Sequence, residues 1–541
     1  MLRDIRVEAG SGWRWAVAGW FALACGACAA AAGETVEQAL QAAQQAARTH
    51  RHAEAIAAYE RAQQLAPHRR KAWRVELADH WLWHGHPARA ERLYREVLAD
   101  GFSGAADGLD GATDGPAHPA GASRVQRRVH MGLGRALAWQ GRHRAALVAF
   151  EQVLQFDPTD REARIEHARV NAWRGRHRVA AAALQGVLVD HPGDREATHR
   201  LAEVWAWMDR SDRAGALLAS HVGRDPQDTV ATEALVRHRR AQRPQVTADF
   251  RRFTQSDGLD IADLQGRLEA ADPSGIGRWG VRLGRARFLS PTPGEGGLAV
   301  QRLALDGRAP LGEAVSVAGT VGRERIEGQG VGGVAARSLH RWTHDLQLRV
   351  QPSDPWRLTL GSTRWTFDSL ESLRTGLTAR ETRGVLELLP DDVHRASLQW
   401  TAAAYSDGNA RRSMHIQVQR RLHRWPEAML GLRHASDDFR RPGQPGYFNP
   451  DRLRSAHLTL DLRGDFGAAA PALQWQWMGS VGVEQEPMRA SRPVRSARVQ
   501  ITGAIGPDLA LEVAYDHSTS RIVDRDGFAR GIARFSVRQR F

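Results

Sequence analysis

Cysteine is almost missing from this 541-residue chain, with Cys25 and Cys28 its two occurrences. A disulfide scaffold is excluded, and so is a zinc site built further along on four cysteines or on paired cysteines and histidines. Lysine is scarcer still: Lys71 stands alone, so arginine supplies 74 of the 75 basic side chains. Beyond the N-terminus there is no apolar run of roughly eighteen residues, which excludes a protein that crosses a membrane with several helices. Gly-x-Ser-x-Gly, a Walker loop and His-Glu-x-x-His are all lacking, so no enzymatic activity is expected. The 23 histidines are scattered along helices beside arginines. Neither a metal site nor a cofactor is expected from them. What is present is ordinary globular composition, 42% hydrophobic and 25% charged, which excludes wholesale disorder.

Arg3, Arg6 and Arg14 precede a short apolar stretch, Trp15 to Ala24, and small residues follow at Ala29–Gly33. A basic region, an apolar core and an A-x-A type site read as a secretory signal peptide over residues 1–32. A lipoprotein signal using Cys25 is the alternative, but Ala22 stands where such signals usually carry leucine. Both cysteines lie inside the segment, so the mature chain is expected to contain none.

Residues 33–243 repeat. Trp139, Trp173 and Trp207 are 34 residues apart, and Pro158, Pro192 and Pro226 keep the same spacing. A period of about 34 is the mark of the tetratricopeptide repeat, a helix–turn–helix unit. Ala55, Ala90, Ala146, Ala180 and Ala214 recur where two helices must approach closely. Tyr59, Tyr94, Phe150, Leu184 and Leu218 follow one helical turn later and fill the adjoining space. From Trp83 to Trp139 the interval is longer, and residues 101–122, rich in Gly, Ala, Asp and Pro, account for the excess as an inserted loop. About five repeats are predicted, stacked as an α-helical solenoid. The repeating, stacked tryptophans are expected to serve packing; platforms for a ligand are the alternative. By repeat register Arg128, Arg135, Arg169 and His199 should face the groove where such solenoids bind a partner; as solvated helix residues they would have no such role.

After Arg243-Pro244 the period changes to two. Leu473, Trp475, Trp477, Val481 and Val483 lie on one parity, and Gln474, Gln476, Ser480 and Glu484 on the other. Sixteen such segments are predicted over 244–541, starting near 245, 260, 277, 299, 315, 340, 356, 378, 394, 411, 428, 454, 472, 495, 508 and 530. Each is about ten residues, the length of a tilted strand in a bilayer. Short turns (272–275, 310–312, 352–355, 390–392, 506–508) alternate with longer polar connections (290–297, 327–337, 436–453, 485–494, 518–529). These features predict a transmembrane antiparallel β-barrel of about sixteen strands, apolar outside and hydrated inside. Trp279, Trp342, Trp356, Trp400, Trp475 and Trp477 should form interfacial girdles. A soluble β-sandwich is the competing reading. By parity the lumen should carry Arg267, Arg282, Arg341, Arg349, Arg463, Arg498, Arg534 and Arg538. Asp263, Glu269, Asp345, Asp461, Glu484, Glu512 and Asp516 should share it. Two readings of this mixed lining are open: a wall that holds a sugar chain weakly, or pairs that neutralise one another and stiffen the barrel.

The formal net charge of +14 points to anionic partners, lipopolysaccharide phosphates or an acidic polymer, and not to nucleic acid in an exported chain.

Signal peptide, repeats and a last strand ending in Phe541 together resemble the outer-membrane exopolysaccharide export porins with periplasmic tetratricopeptide repeats. That group includes the poly-N-acetylglucosamine export porin, the outer-membrane component of cellulose synthase and the YaiO-type barrels. Tyr405-Ser-Asp-Gly-Asn-Ala-Arg411-Arg412 is similar to a hairpin of such barrels, and Gly446-Tyr-Phe-Asn-Pro450 to one of their loops. The repeat array is shorter than polymer-export members usually carry. The resemblance implies an outer-membrane location with the helical part in the periplasm. It implies export of an exopolysaccharide, with synthesis proteins of the periplasm or inner membrane as partners of the repeats and outer-membrane lipid around the barrel. A non-transporting barrel for assembly, adhesion or phage attachment is the alternative.

Overall fold

The computed structural model describes residues 34–101, 119–256, 258–290, 296–328, 338–467, 470, 472–519 and 529–541, with backbone alone at 119–122. The segment read as a signal peptide lies outside the described residues, as do 102–118 of the expected loop insertion. The chain divides into two compact units, Met1–Glu166 and His167–Phe541.

The first unit is helical. Its helices are α1 (Val36–Arg48), α2 (His52–Leu65), α3 (Arg74–Trp83), α4 (Pro87–Ala99), α5 (Pro119–Trp139) and α6 (His143–Phe156), with a 3-10 segment at Pro67–Trp73. α1 starts at a capping box: the Gln38 amide donates to Thr35 Oγ1 and the Thr35 amide to Gln38 Oε1. α5 begins at Pro119, inside the range expected as loop; proline is tolerated in a first turn because its missing N–H has no helical partner there. The small-residue pattern is borne out. Ala55, Ala90 and Ala146 are fully buried, and the rings of Tyr94 and Phe150 lie so close to Gly132 and Gly134 that a side chain at either glycine would collide with them.

The helix α7 (Arg161–Trp173) runs from the first unit into the second, which continues with α8 (His177–Asp190), α9 (Arg195–Trp207), α10 (Ser211–Arg224) and α11 (Thr229–Gln242). Trp83, Trp139, Trp173 and Trp207 each end the first helix of a pair. They are half-exposed, at 53%, 38%, 41% and 51%, and pack by their rings: Trp83 meets Trp139 edge-on at 5.4 Å, Arg169 lies over Trp173, and Trp207 lies 5.5 Å from His177. Each tryptophan stands at its helix end just before a tight turn. Gly85, Gly141 and Gly175 supply the left-handed turn residue, with φ of 84°, 74° and 78°.

Pro244 separates α11 from the first of sixteen strands. In order they are β1 (Gln245–Gln255), β2 (Asp260–Ala271), β3 (Arg278–Leu289), β4 (Leu298–Pro310), β5 (Val315–Gly328), β6 (Ser338–Ser353), β7 (Trp356–Thr366) and β8 (Thr378–Leu388). The second half comprises β9 (His394–Tyr405), β10 (Ala410–His423), β11 (Glu427–Phe439), β12 (Arg452–Asp465), β13 (Leu473–Gln485), β14 (Arg492–Ala504), β15 (Leu509–Ser518) and β16 (Arg530–Arg540). Every neighbour is antiparallel, and β1 closes the ring on β16, from Gln245 opposite Arg540 to Gln255 opposite Arg530. Closure leaves no unpaired edge, so every strand's backbone groups are satisfied within the wall. A soluble sandwich is thereby set aside.

Both ends of the barrel chain lie at one rim, the helical end; the opposite rim is the loop end. Turn lengths do not alternate strictly. β1–β2 and β9–β10 close at the loop end in short turns through Gly258 (φ 89°) and Gly408 (φ 84°), while β12–β13 at the helical end is longer. A short helix, α12 (Leu370–Thr375), lies between β7 and β8 at the loop end.

Candidate functional site: the barrel interior

Alternation along each strand sends one register inward. Acidic side chains that are nearly inaccessible (Asp263 3%, Glu269 2%, Asp306 6%, Glu427 6%) occupy it, while large exposed apolar ones (Leu283, Leu305, Leu432) occupy the other. Burial of an unpaired charge is costly, so the inward acids are met by arginines of adjacent strands.

Several clusters result among the described residues, one of them joining Glu381 and Asp437 through Arg411 (3.1 and 3.9 Å). On β1–β5, Asp263 pairs with Arg251 and with Arg302 (3.1 Å), and Arg302 continues to Glu324 (2.9 Å). Beside them Arg267 joins Glu269 (2.5 Å) to Asp306, with Arg282 3.8 Å from Asp306 and Arg278 on Glu269. On β9–β12, Glu427 alone takes Arg395 (3.5 Å), Arg421 (2.7 Å) and Arg463. On β14–β16, Asp516 lies between Arg498 (3.3 Å) and Arg534 (3.7 Å).

The residues singled out in the sequence are thus distributed, not gathered into one focus. Asp345 accepts from Gln347 and Thr363, each at 3.3 Å, and Asp461 from Gln476 at 3.1 Å. Glu484 is buried on β13. Glu512 lies opposite Thr502 and Ser536; Arg538 lies opposite Thr247 and Ala510. Arg349, opposite Ser316 and Thr359, lines a cavity of about 500 Å³ at the helical end. Arg251, Arg302, Glu324, Arg395, Arg421 and Glu427 were missed. Each sits at an alternate position on the inward register, where only the pairing of strands brings its partners beside it.

That cavity lies in the second unit, between the α8–α11 helices and the strand turns. Its lining includes His177, Trp207, Arg210, Arg278, Arg308, Arg349, Asp354 and Arg357. Asp354, 5% exposed, accepts from the Arg178 amide at 3.1 Å at the start of α8, where the helix dipole favours an anion. Arg176 donates to the Leu389 and Pro390 carbonyls (3.0 and 2.8 Å), and Arg213 pairs with Glu313 at 2.7 Å. The Arg213 guanidinium holds the Glu313 carboxyl below its ordinary range. Burial pushes the His177 imidazole down, against the charge of Asp354. Trp207 sits with its ring 5.5 Å from His177.

At the loop end the expected polarity is reversed. Phe253, Ile261, Phe288, Val300 and Ile326 point inward, and Leu373 of α12 packs among them. A wall apolar outside and wet inside is therefore corrected for this rim: the inward apolar residues are needed to dock α12. Arg341 Nη2 donates to the Gly376 carbonyl at 2.8 Å, and the Ser369 and Ser372 hydroxyls donate to the Gly446 carbonyl at 2.6 and 2.8 Å. The two local texts quoted above meet here. Tyr447 donates to Asp407 and accepts from Asn409, both at 2.8 Å, and its ring lies 5.1 Å from Tyr405.

The groove residues are also partnered. Arg128 pairs with Glu76 (3.0 Å) and Asp79 (2.6 Å), and Arg135 with Glu166 (2.9 Å) and Glu162. Arg169 lies over the Trp173 ring at 5.0 Å. His199 and His221 both reach Asp228 Oδ2, at 2.8 and 2.9 Å, and their ligating atoms lie within 4.8 Å of one another. These three are the grouping among the described residues that could hold a metal ion. Asp228 also caps α11 through the Ala231 amide. Burial alone would raise the Asp228 carboxyl, but the Ala231 amide, His221 and His199 outweigh it and bring the pKa down to about 2.

No family model matches this chain, and no curated protein does. Among solved structures it is similar to a bacterial polysaccharide outer membrane secretin, at 12% identity and a TM-score of 0.43, over 56% of this chain and 99% of that one. It is also similar to a thermophilic TPR protein of Thermus thermophilus, at 20% identity and a TM-score of 0.28, over 38% and 98% of the two chains. A third, a TPR protein with an unusual peptide-binding site, matches at 16% identity and a TM-score of 0.26, over 37% and 91%.

Proposed function

We propose that the chain is an outer-membrane export channel for an exopolysaccharide, with its helical repeats in the periplasm. The observation that carries this reading is the inward face of a closed sixteen-strand ring, lined with arginines and carboxylates in pairs. Partnered charges present hydrogen-bonding groups spread along the wall, so a hydroxyl-rich chain is held weakly at each point and released to the next. The arginine-rich cavity at the helical end, with Trp207 half-exposed in it, supplies a mouth where a sugar ring stacks on an indole face. The repeats dock synthesis proteins of the periplasm or inner membrane.

A second reading is a non-transporting surface barrel. The observation in its favour is α12, folded inside the loop-end rim. Purified protein in planar lipid bilayers separates the two. Steady conductance that a soluble oligosaccharide blocks from the helical side is expected for export, with Trp207→Ala weakening the block by about tenfold, near 1.4 kcal/mol. Absence of conductance from correctly inserted protein would overturn export and leave the surface reading.

A further inference from the structure

The outward face of the barrel changes character along its height. Over the helical half it is mainly apolar, with Arg420, His394, His423 and Gln539 near the rim. Toward the loop end it turns basic. On β3 and β5 the outward residues continue from Leu283 and Val321 to Arg285, Arg287, Arg323 and Arg325. Arg285 and Arg325 both flank Gln301, and Arg325 faces His340 on the next strand, so they share one level of the wall. Arg323 lies opposite Trp342, an outward indole 62% exposed. On β7 and β8, Arg364 and Arg380 lie directly opposite each other. Like charges so placed repel unless a counter-anion joins them.

Arg325 is paired with Glu327 at 2.9 Å. The other five make no ion pair or hydrogen bond among the described residues, and Arg364 Nε is out of contact with solvent and without a partner. Free guanidiniums on the outward face toward the loop end, bordered by lipid-facing leucine and indole, sit where a bilayer's hydrocarbon gives way to headgroups. Their planar donors suit phosphate oxygens two at a time.

We propose that these arginines form a binding belt for the phosphate groups of lipid headgroups in the leaflet at the loop end. This rests on the chain spanning a bilayer, and not on what the channel carries. In an outer membrane that leaflet's phosphorylated glycolipid is the occupant.

The test uses the full chain, folded in detergent and in phosphatidylcholine vesicles, with lipopolysaccharide and its dephosphorylated form as probes. Native protein should bind the phosphorylated form at least tenfold more tightly. The combined variant Arg285→Gln, Arg323→Gln, Arg364→Gln and Arg380→Gln should lose that preference while keeping the native heat-resistant mobility on gels. Equal binding of both probes to native protein overturns the proposal, and needs no variant to fold. Competition by inorganic phosphate at equal concentration also overturns it, because a free-anion site would then be at work. Dimers in detergent that the variant disperses would assign the belt to a second copy of the chain instead. Protein that inserts into vesicles without preferring phosphate sinks this proposal alone; protein that does not insert sinks the membrane reading itself.

Discussion

Glu427 shows what a single inward carboxylate does. It is 6% exposed and surrounded by Arg395, Arg421 and Arg463 from three strands. Glu427→Gln keeps the shape and leaves three cations facing one another. Breaking a buried pair in this way costs about 3–5 kcal/mol, so the urea midpoint of barrel unfolding in lipid should fall. The reversal potential in a salt gradient should move toward anion preference; an unchanged potential would place the cluster off the conducting path. Asp228 tests the helical part differently. Its pKa of about 2 lies below the unfolded value near 3.8. A depressed carboxyl stabilises the fold above the unfolded pKa and loses that contribution as pH falls through the folded one. About 2 kcal/mol should vanish between pH ~4 and ~2. Asp228→Asn can still cap α11 but does not titrate, so the native chain's loss of helical circular dichroism over that interval should flatten in the variant. These residues also mark what sequence can reveal. Asp461 stands out because Leu460 and Leu462 flank it. Arg302 and Glu427 are invisible until three strands are brought side by side, since nothing in a one-dimensional pattern says which acid collects which arginines.

Elements were more legible than their decoration. Predicted and observed strand starts differ by no more than three residues, because lipid on one face and water on the other enforce alternation wherever the wall crosses the bilayer. The helix α12 was not foreseen. It has six residues, too few for a helical period to register, and its stability comes from Leu373, 2% exposed among inward apolar residues of five strands. Those residues were unreadable for the same reason. Arg252 with Phe253, Arg287 with Phe288 and Arg325 with Ile326 keep the alternation but swap its polarity near the loops. Leu373→Ala should weaken docking of α12 by about 2–4 kcal/mol through the cavity it leaves. If α12 narrows the conducting path, single-channel recordings should then show higher mean conductance and more frequent transitions. Unaltered conductance would mean that current passes elsewhere in the cross-section.

At the scale of the whole molecule, the position of the bilayer is the quantity that connects lumen, belt and helices. An arginine facing lipid at mid-height costs about 2–4 kcal/mol, and one near the headgroups about 0–1 kcal/mol. The native outward face already follows that rule, with Leu303 and Leu305 on β4 exposed at 52% and 65% and Gln301 beyond them toward the loops. Two substitutions on one strand therefore measure the height of the membrane. Leu305→Arg should destabilise the barrel in vesicles by the larger amount, whereas Gln301→Arg, between Arg285 and Arg325, should cost little in zwitterionic lipid and less when anionic lipid is added. Equilibrium unfolding in urea, with both variants in both lipids, gives four numbers. A large penalty at 305 with a lipid-dependent one at 301 fixes the hydrocarbon edge between those positions. Similar small penalties at both would mean that this face meets water along its height, and a wall wet on both sides has no membrane to carry a polymer across.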